Sequence, residues 1–248
     1  MNVFLRRLLD VIASFAGLIV LIPVLLAISL LILLRDGRPV LFRQARVGKG
    51  GKPFWILKFR TMAANSEGLA ITASDDNRIT PVGRHLRKLK LDELPQLFNI
   101  LNGDMSLIGP RPETPQFVIY ENMLWQQVLQ VRPGLTDPTT LLYRNEGEIL
   151  AQAHDPEAFY RGAILPAKLQ LSAQYLKTRS WYSDMKILAF TALYSFFPKT
   201  FNSERVAKSF DLPEGSLYQR GAVRMTSRPP FSNDSQEQEG LAAGTVKR

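Results

Sequence analysis

The chain contains no cysteine, which excludes disulfides, thiolate nucleophiles and thiolate-bound zinc. It has two histidines, His85 and His154, far apart in sequence, and one imidazole cannot close a metal shell. Glycine motifs for nucleotides are missing as well. Gly48-Lys49-Gly50-Gly51-Lys52 lacks the spacing and the final Lys-Ser/Thr of a P-loop, matches no dinucleotide fingerprint, and reads as a turn. There is no internal repeat and no recognised nucleic-acid module, so nucleic acid is not an expected partner. Acidic charge is scarce: 22 Asp and Glu against 31 Lys and Arg leave a formal charge of +9 on 248 residues. That surplus favours anionic partners such as lipid headgroups or phosphorylated small molecules.

Charge is missing altogether from Val11 to Leu34, a run of 24 residues. About 20 apolar residues suffice to cross a bilayer. A cleaved signal peptide is not expected, because its apolar core spans only about 7–15 residues and this run continues unbroken through Leu34. Arg6 and Arg7 precede the run, and Arg35, Arg38, Arg43 and Arg46 follow it. Basic flanks tend to stay cytoplasmic, so both ends favour the same side of the membrane. Pro23 falls in the middle, where its missing N–H and its ring predict a kink. A helix that enters, bends at Pro23 and leaves by the same face satisfies both features. On the residues alone, a spanning helix with a tolerated proline satisfies them equally well.

Residues 39–62 predict a β-hairpin, with Val40-Leu41-Phe42 and Phe54-Trp55-Ile56-Leu57 as β-prone runs on either side of the glycine turn. Residues 63–77 read as a polar surface loop, and 78–90 as a turn followed by a basic helix. From Leu91 onward, Leu94, Leu97, Phe98 and Leu101 recur at helical spacing. Pro95 is acceptable in a first helical turn, which places Asp92 and Glu93 at that helix's N-terminal end, where the dipole welcomes acids and phosphates alike. A helix is expected over 116–130, a turn at Arg132-Pro133-Gly134, and a broad helix over 157–178 interrupted near Pro166. The apolar stretch 186–197 is too short to span a bilayer and is expected to pack on the domain rather than lie at the interface. From about residue 221 the composition is that of a disordered tail.

The densest chemistry is the pair Asp92-Glu93. Acids in a first helical turn are favoured by the dipole with no function attached, but three neighbours argue for more. Arg84, Arg87, Lys88 and Lys90 bring opposite charge, which is expected to lower both carboxylate pKa values and keep both groups ionised. Arg111 stands between two prolines that stiffen its backbone, and its fork matches phosphate oxygens. Lys58 and Arg60 lie at the end of the hairpin nearest the basic helix in sequence. An aspartate can attack phosphorus to form an acyl phosphate, a step that needs Mg²⁺ and basic side chains to neutralise the phosphoryl oxygens.

Six segments occur in order. They are Arg6-Arg7-Leu8-Leu9-Asp10 before the proline-broken apolar run, Pro39-Val40-Leu41-Phe42-Arg43-Gln44, Lys58-Phe59-Arg60-Thr61-Met62, Leu91-Asp92-Glu93-Leu94-Pro95-Gln96-Leu97, Asn102-Gly103-Asp104-Met105-Ser106 and Gly109-Pro110-Arg111-Pro112-Glu113. Together they resemble the bacterial sugar transferases, the small monotopic phosphoglycosyl transferases, over roughly residues 5–200. The resemblance implies an α+β fold: a mostly helical cytoplasmic domain with a small β-hairpin, on an N-terminal re-entrant membrane helix kinked at Pro23. It implies transfer of a sugar-1-phosphate from a UDP-sugar to polyprenyl (undecaprenyl) phosphate through a covalent aspartyl-phosphosugar, with release of UMP, to initiate polysaccharide or glycoconjugate assembly. By the matching motifs Asp92 is the nucleophile and Glu93 its partner in metal or proton handling. The pair would also hold Mg²⁺, and Lys58, Arg60, Arg87 and Arg111 would bind the substrate phosphates.

The implied division is a membrane element at 1–38, a catalytic domain at 39–200 and a C-terminal extension at 201–248. The implied place is the bacterial inner membrane, with the domain facing the cytoplasm. Expected partners are the UDP-sugar, polyprenyl phosphate, membrane lipids and, in a homodimer, a second copy of the chain. After Arg132-Pro133-Gly134-Leu135-Thr136 this chain has Asp137-Pro138-Thr139-Thr140-Leu141 where the family commonly has Gly-x-Ala-Gln-Val. A different class remains open beside the enzyme: a non-catalytic, membrane-anchored basic scaffold for anionic partners.

Overall fold

A computed structural model describes residues 3–64, 71–210 and 212. It opens on one 33-residue helix, α1 (Val3–Arg35), which runs on through Pro23. At 1.5 Å per residue such a helix is roughly 50 Å long. Among the described residues it is the one helix long and apolar enough to cross a membrane. Its buried residues are Asp10, Ser14, Leu18, Ile28 and Ile32, and half-buried Leu21 and Leu25 complete a single stripe.

That stripe rests on the remainder of the molecule at both ends. Near its start, Asp10 accepts from Ser106 Oγ (2.7 Å) and Leu107 N (3.0 Å), and Arg7 donates to Ile100 O (2.5 Å) and Leu101 O (2.8 Å). Near its end, Ile28 and Ile32 pack with Phe59 and Leu86. The opposite face is apolar and exposed, with Ile12, Phe15, Ile19, Leu26, Leu30 and Leu34 along it, and Pro23 is exposed too.

The expected hairpin is present. β1 (Leu41–Val47) pairs antiparallel with β2 (Pro53–Phe59), Leu41 opposite Phe59 and Val47 opposite Pro53. Gly50 and Gly51 take positive φ in the connecting turn, a conformation that glycine adopts without steric cost. The basic helix also forms, as α2 (Pro81–Lys88), with the Thr80 hydroxyl capping it by accepting from Gly83 N.

A second sheet has no counterpart in the sequence reading. β3 (Ser106–Ile108) pairs in parallel with β4 (Gly134–Thr136), and α4 (Met123–Val128) lies in the crossover. Strands of three residues are too short to show alternation. The expected turn at Arg132-Pro133-Gly134 thus ends inside a strand. Gly134 is required there: a Cβ on it would sit 2.1 Å from Gly109 N. The pairing continues past β3, with Gly109 N donating to Thr136 O (3.0 Å) and Gly134 N to Pro110 O (2.8 Å). The backbone entering Pro110-Arg111-Pro112 is therefore clamped by the 134–136 segment.

The helix expected over 116–130 is shorter. A 3₁₀ turn at Pro115–Phe117 precedes α4, whose start is fixed where Asn122 Oδ1 accepts from Leu124 N and Trp125 N. Then come α5 (Pro138–Leu142), α6 (Glu146–Leu150), α7 (Pro156–Phe159), α8 (Leu165–Thr178), α9 (Trp181–Phe196) and α10 (Ser203–Ser209). The interruption expected near Pro166 is present just before it. A wide π-type turn at Tyr160–Ile164 links α7 to α8 and accommodates the N–H that Pro166 lacks. Where this chain departs from the family's usual turn, Asp137 caps α5, its Oδ1 accepting from Thr140 N (2.6 Å).

The 186–197 stretch packs as expected, burying Ile187, Phe190 and Tyr194, while Phe196 and Phe197 stay exposed. These side chains join Leu141, Ile164, Leu171, Tyr175 and Val206 in the largest apolar cluster, which reaches Leu212. The loop expected over 63–77 is partly interior, since Ile71 belongs to that cluster and Ser74 N donates to Gly147 O. The tail from about 221 lies outside the described residues.

Candidate active site

Asp92 and Glu93 do not open a helix. They lie in a separate 3₁₀ turn, Leu91–Glu93, and α3 (Gln96–Asn102) begins after it with Pro95 at the capping position. Two features enforce the separation. Lys90 is left-handed (φ 58°) and redirects the chain after α2, and Pro95 has no N–H to continue a helical ladder from Leu91. The turn is fixed against the hairpin by Asn99, a buried side chain of α3. Its Oδ1 accepts from Leu57 N (2.9 Å) and its Nδ2 donates to Trp55 O (2.8 Å). Lys58 is thereby brought beside Glu93.

The result is a cavity of about 560 Å³ lined by Lys58, Arg60, Arg87, Asp92 and Arg111, five of the six expected site residues. Glu93, the sixth, stands behind it and holds two of the cations. Its Oε2 accepts from Arg111 Nη1 at 3.1 Å, its Oε1 contacts Arg111 Nη2, and Lys58 Nζ lies 3.4 Å from Oε1. Asp92 differs sharply. It is buried, and its Oδ1 has no hydrogen-bond partner among the described residues. Arg84 and Lys88, from the same basic run as Arg87, are exposed.

The two carboxylates are pushed in opposite directions, which corrects the expectation that both pKa values fall. Burial raises the Asp92 carboxyl above its ordinary value and the charge of Glu93 adds to this, outweighing Lys58, Lys90 and Arg87. Burial also opposes ionisation of Glu93, but Arg111 and Lys58 overcome it and hold that carboxyl well below its ordinary value. Lys58 is pulled down to about 8, chiefly by burial and then by Arg111 and Arg46, against the attraction of Glu93.

Among the described residues no cluster of three or more His, Asp or Glu forms a ready-made cage for a metal. Mg²⁺ does not need one, since it is commonly held by one or two carboxylates together with substrate phosphates and water. The unpartnered Asp92 Oδ1 at the cavity wall suits such a role.

The description of the bacterial sugar transferase family matches residues 1–198 of the 248. The chain belongs to this family. It is 37% identical over 188 residues to a UDP-glucose:undecaprenyl-phosphate glucose-1-phosphate transferase of Caulobacter vibrioides, covering 74% of this chain and 66% of the relative. Identity is 50% over 117 residues to a UDP-N-acetylgalactosamine-undecaprenyl-phosphate N-acetylgalactosaminephosphotransferase of Aeromonas hydrophila, covering 46% and 28%. A UDP-glucose:undecaprenyl-phosphate glucose-1-phosphate transferase of Escherichia coli is 31% identical over 208 residues, covering 80% and 41%. The chain thus spans less than two thirds of the length of each of these relatives.

The cavity has a further wall that the sequence reading did not assemble, made by Arg46, Glu113, Glu146, Tyr160 and Lys168. Tyr160 OH donates to Glu113 Oε2 (2.5 Å), Arg46 Nη1 to Glu113 Oε1 (3.3 Å), and Lys168 Nζ to Glu146 Oε2 (2.6 Å). Glu113 was within reach of sequence reasoning, as the residue directly after Pro-Arg-Pro. Tyr160 and Lys168 sit among ordinary helical residues and carry no local signal.

Proposed function

We propose that the chain is a membrane-bound phosphoglycosyl transferase that moves a sugar-1-phosphate from a UDP-sugar to undecaprenyl phosphate, releasing UMP and initiating polysaccharide or glycoconjugate assembly. The observation behind this reading is the unpartnered Oδ1 of buried Asp92 in a cation-lined cavity. A carboxylate kept basic by burial is a stronger nucleophile once ionised. Asp92 attacks the phosphorus that bears the sugar. A P–O bond forms to Asp92, the P–O bond to the bridging oxygen breaks, and UMP leaves with the electron pair. The phosphate oxygen of undecaprenyl phosphate then attacks the same phosphorus. The Asp92–P bond breaks, the lipid diphosphate sugar departs, and the carboxylate is restored.

Lys58, Arg60, Arg87 and Arg111 supply positive charge for the phosphate oxygens. Glu93 holds Lys58 and Arg111 in place before substrate arrives. Asp92 is the carboxylate placed to hold Mg²⁺, since both Glu93 oxygens are taken by Arg111 and Lys58, and the ion would neutralise charge on the transferring group. The basic flanks of α1, its contact with the domain at both ends and its exposed apolar face favour a re-entrant seat with a bend at Pro23. The same features favour an inner-membrane location with the domain facing the cytoplasm. A basic scaffold without catalysis would leave Asp92 buried, ionisable and unpaired for no purpose.

The test is incubation of the purified full-length protein with UDP-glucose or UDP-N-acetylgalactosamine and Mg²⁺, with no lipid acceptor. Intact mass is expected to rise by one phosphosugar with UMP released in equal amount. Unchanged mass with both donors, alongside normal transfer when undecaprenyl phosphate is present, excludes the covalent route.

The pH dependence follows from Lys58. Its ammonium is needed at the phosphate and burial has already weakened its hold on the proton, so charge is lost as pH rises through about 8. The kcat/KM for the UDP-sugar, which reports groups of the free enzyme, is expected to fall above that pH. In Lys58→Arg the alkaline limb moves out of the accessible range. An identical limb in both proteins assigns it to another group.

A further inference from the structure

Arg60 differs from three of the other arginines of the cavity. Arg46, Arg78 and Arg111 each have a carboxylate partner, Glu113, Asp76 and Glu93 respectively. Arg60 is 5% exposed, and its Nη2 donates to Asp36 O (2.6 Å) and Gly37 O (2.9 Å), the carbonyls directly after α1. Its Nε and Nη1 are buried with no partner among the described residues. Leaving two donors of a buried guanidinium unsatisfied is costly, and either one can form a charge-assisted hydrogen bond to a phosphate oxygen.

The surroundings say which phosphate. Pro39 and Phe42 line the same cavity, and Phe42, half exposed, lies across the ladder from Lys58. Leu33 and Leu34, at the end of α1 just before the carbonyls that Arg60 holds, are exposed and apolar. This corner is therefore cationic at its base and apolar at its rim. The wall of Glu113, Tyr160, Glu146 and Lys168 is instead rich in hydrogen-bonding groups, suited to hydroxyls and unsuited to a hydrocarbon chain.

Building on the function proposed above, we infer that Arg60 anchors the phosphate of the acceptor lipid, and that Pro39 and Phe42 lead its hydrocarbon chain toward the exposed face of α1. Donor and acceptor then approach Asp92 along different walls. The acceptor is a phosphate monoester on an apolar chain, so its two recognition elements are separable.

Measuring the two half-reactions apart tests this. Full-length protein is loaded with UDP-sugar, freed of nucleotide, and given undecaprenyl phosphate. In Arg60→Gln the transfer rate is expected to fall about 10- to 100-fold further than the loading rate, with partial recovery in Arg60→Lys. Because Arg60 also ties down the segment after α1, a second variant guards against simple misfolding. Phe42→Glu, on the exposed strand, is expected to raise the KM for undecaprenyl phosphate about tenfold or more, and to raise that for the two-isoprene probe geranyl phosphate by less.

Equal loss of both half-reactions in Arg60→Gln, in protein that melts like wild type, overturns the assignment. So does an unchanged KM for undecaprenyl phosphate in Phe42→Glu. If Arg60→Gln does not fold, the Phe42 result decides. Wild-type protein that never loads defeats the covalent reading, and this assignment with it, whereas loading without the selective loss defeats the assignment alone.

Discussion

Asp92→Asn is expected to abolish both UMP release and the phosphosugar adduct, by about 10⁴-fold or more, in protein that remains folded and membrane-associated. Asparagine keeps the size of the side chain but cannot donate an electron pair to phosphorus at a useful rate. Stability should move the other way. Burial and Glu93 raise the Asp92 pKa in the folded protein, so the folded state holds its proton more tightly than the unfolded chain does. For a group shifted in that direction, stability is greatest below the unfolded pKa and declines as pH rises through the folded value. At neutral pH an ionised Asp92 therefore costs stability that a neutral amide does not. The variant should melt at the same temperature as wild type or higher, with the difference widening from acid to neutral pH. A variant that keeps near-normal UMP release overturns the nucleophile. One that is inactive and melts well below wild type shows that Asp92 holds the fold together.

The second large effect is expected at Arg111. Arg111→Ala removes a cation from the proposed phosphate site and strips Glu93 of its bidentate partner, leaving that buried carboxylate with Lys58. Removal of one preorganised donor commonly lowers kcat by about 10²–10³, and the loading rate should fall at least that far. Breaking a fully buried ion pair costs ~3–5 kcal/mol; with Arg111 28% exposed, a loss of about 1–3 kcal/mol is expected. Arg111→Lys separates the two contributions. It restores a positive charge but not the fork, so stability should return further than loading does. Equal recovery of both would mean that charge alone matters and that the rigid Pro-Arg-Pro turn has no special geometry to deliver.

Much of this was legible in the chain. The uncharged run between basic flanks specified a single long apolar helix, because no other element hides so many apolar residues in series. The glycine turn between β-prone runs specified the hairpin. The ordered motifs specified the family, and with it Asp92, Glu93 and the basic residues, all of which except Glu93 line one cavity. Local reading failed where elements were too short to show a period, as at β3 and β4, or where a cap cut a helix short, as at Asn122. It failed at the acidic turn because a left-handed Lys90 and the silent N–H of Pro95 act together, and neither is visible as a break on its own. It had no means of finding Tyr160 and Lys168, which reach the cavity from segments about 70 residues beyond Asp92.

The sequence by itself determined which groups are available: one adjacent acidic pair, an excess of cations, no thiols, and a bilayer-length apolar segment. Tertiary structure decided how those groups divide the work. Burial raises one carboxyl while two cations anchor the other, although the two are neighbours in the chain with nearly equal intrinsic acidity. The same folding leaves one arginine of the cavity with two idle donors where others are matched. Desolvation and ion pairing depend on what surrounds an atom in three dimensions, and adjacency in sequence does not set either one.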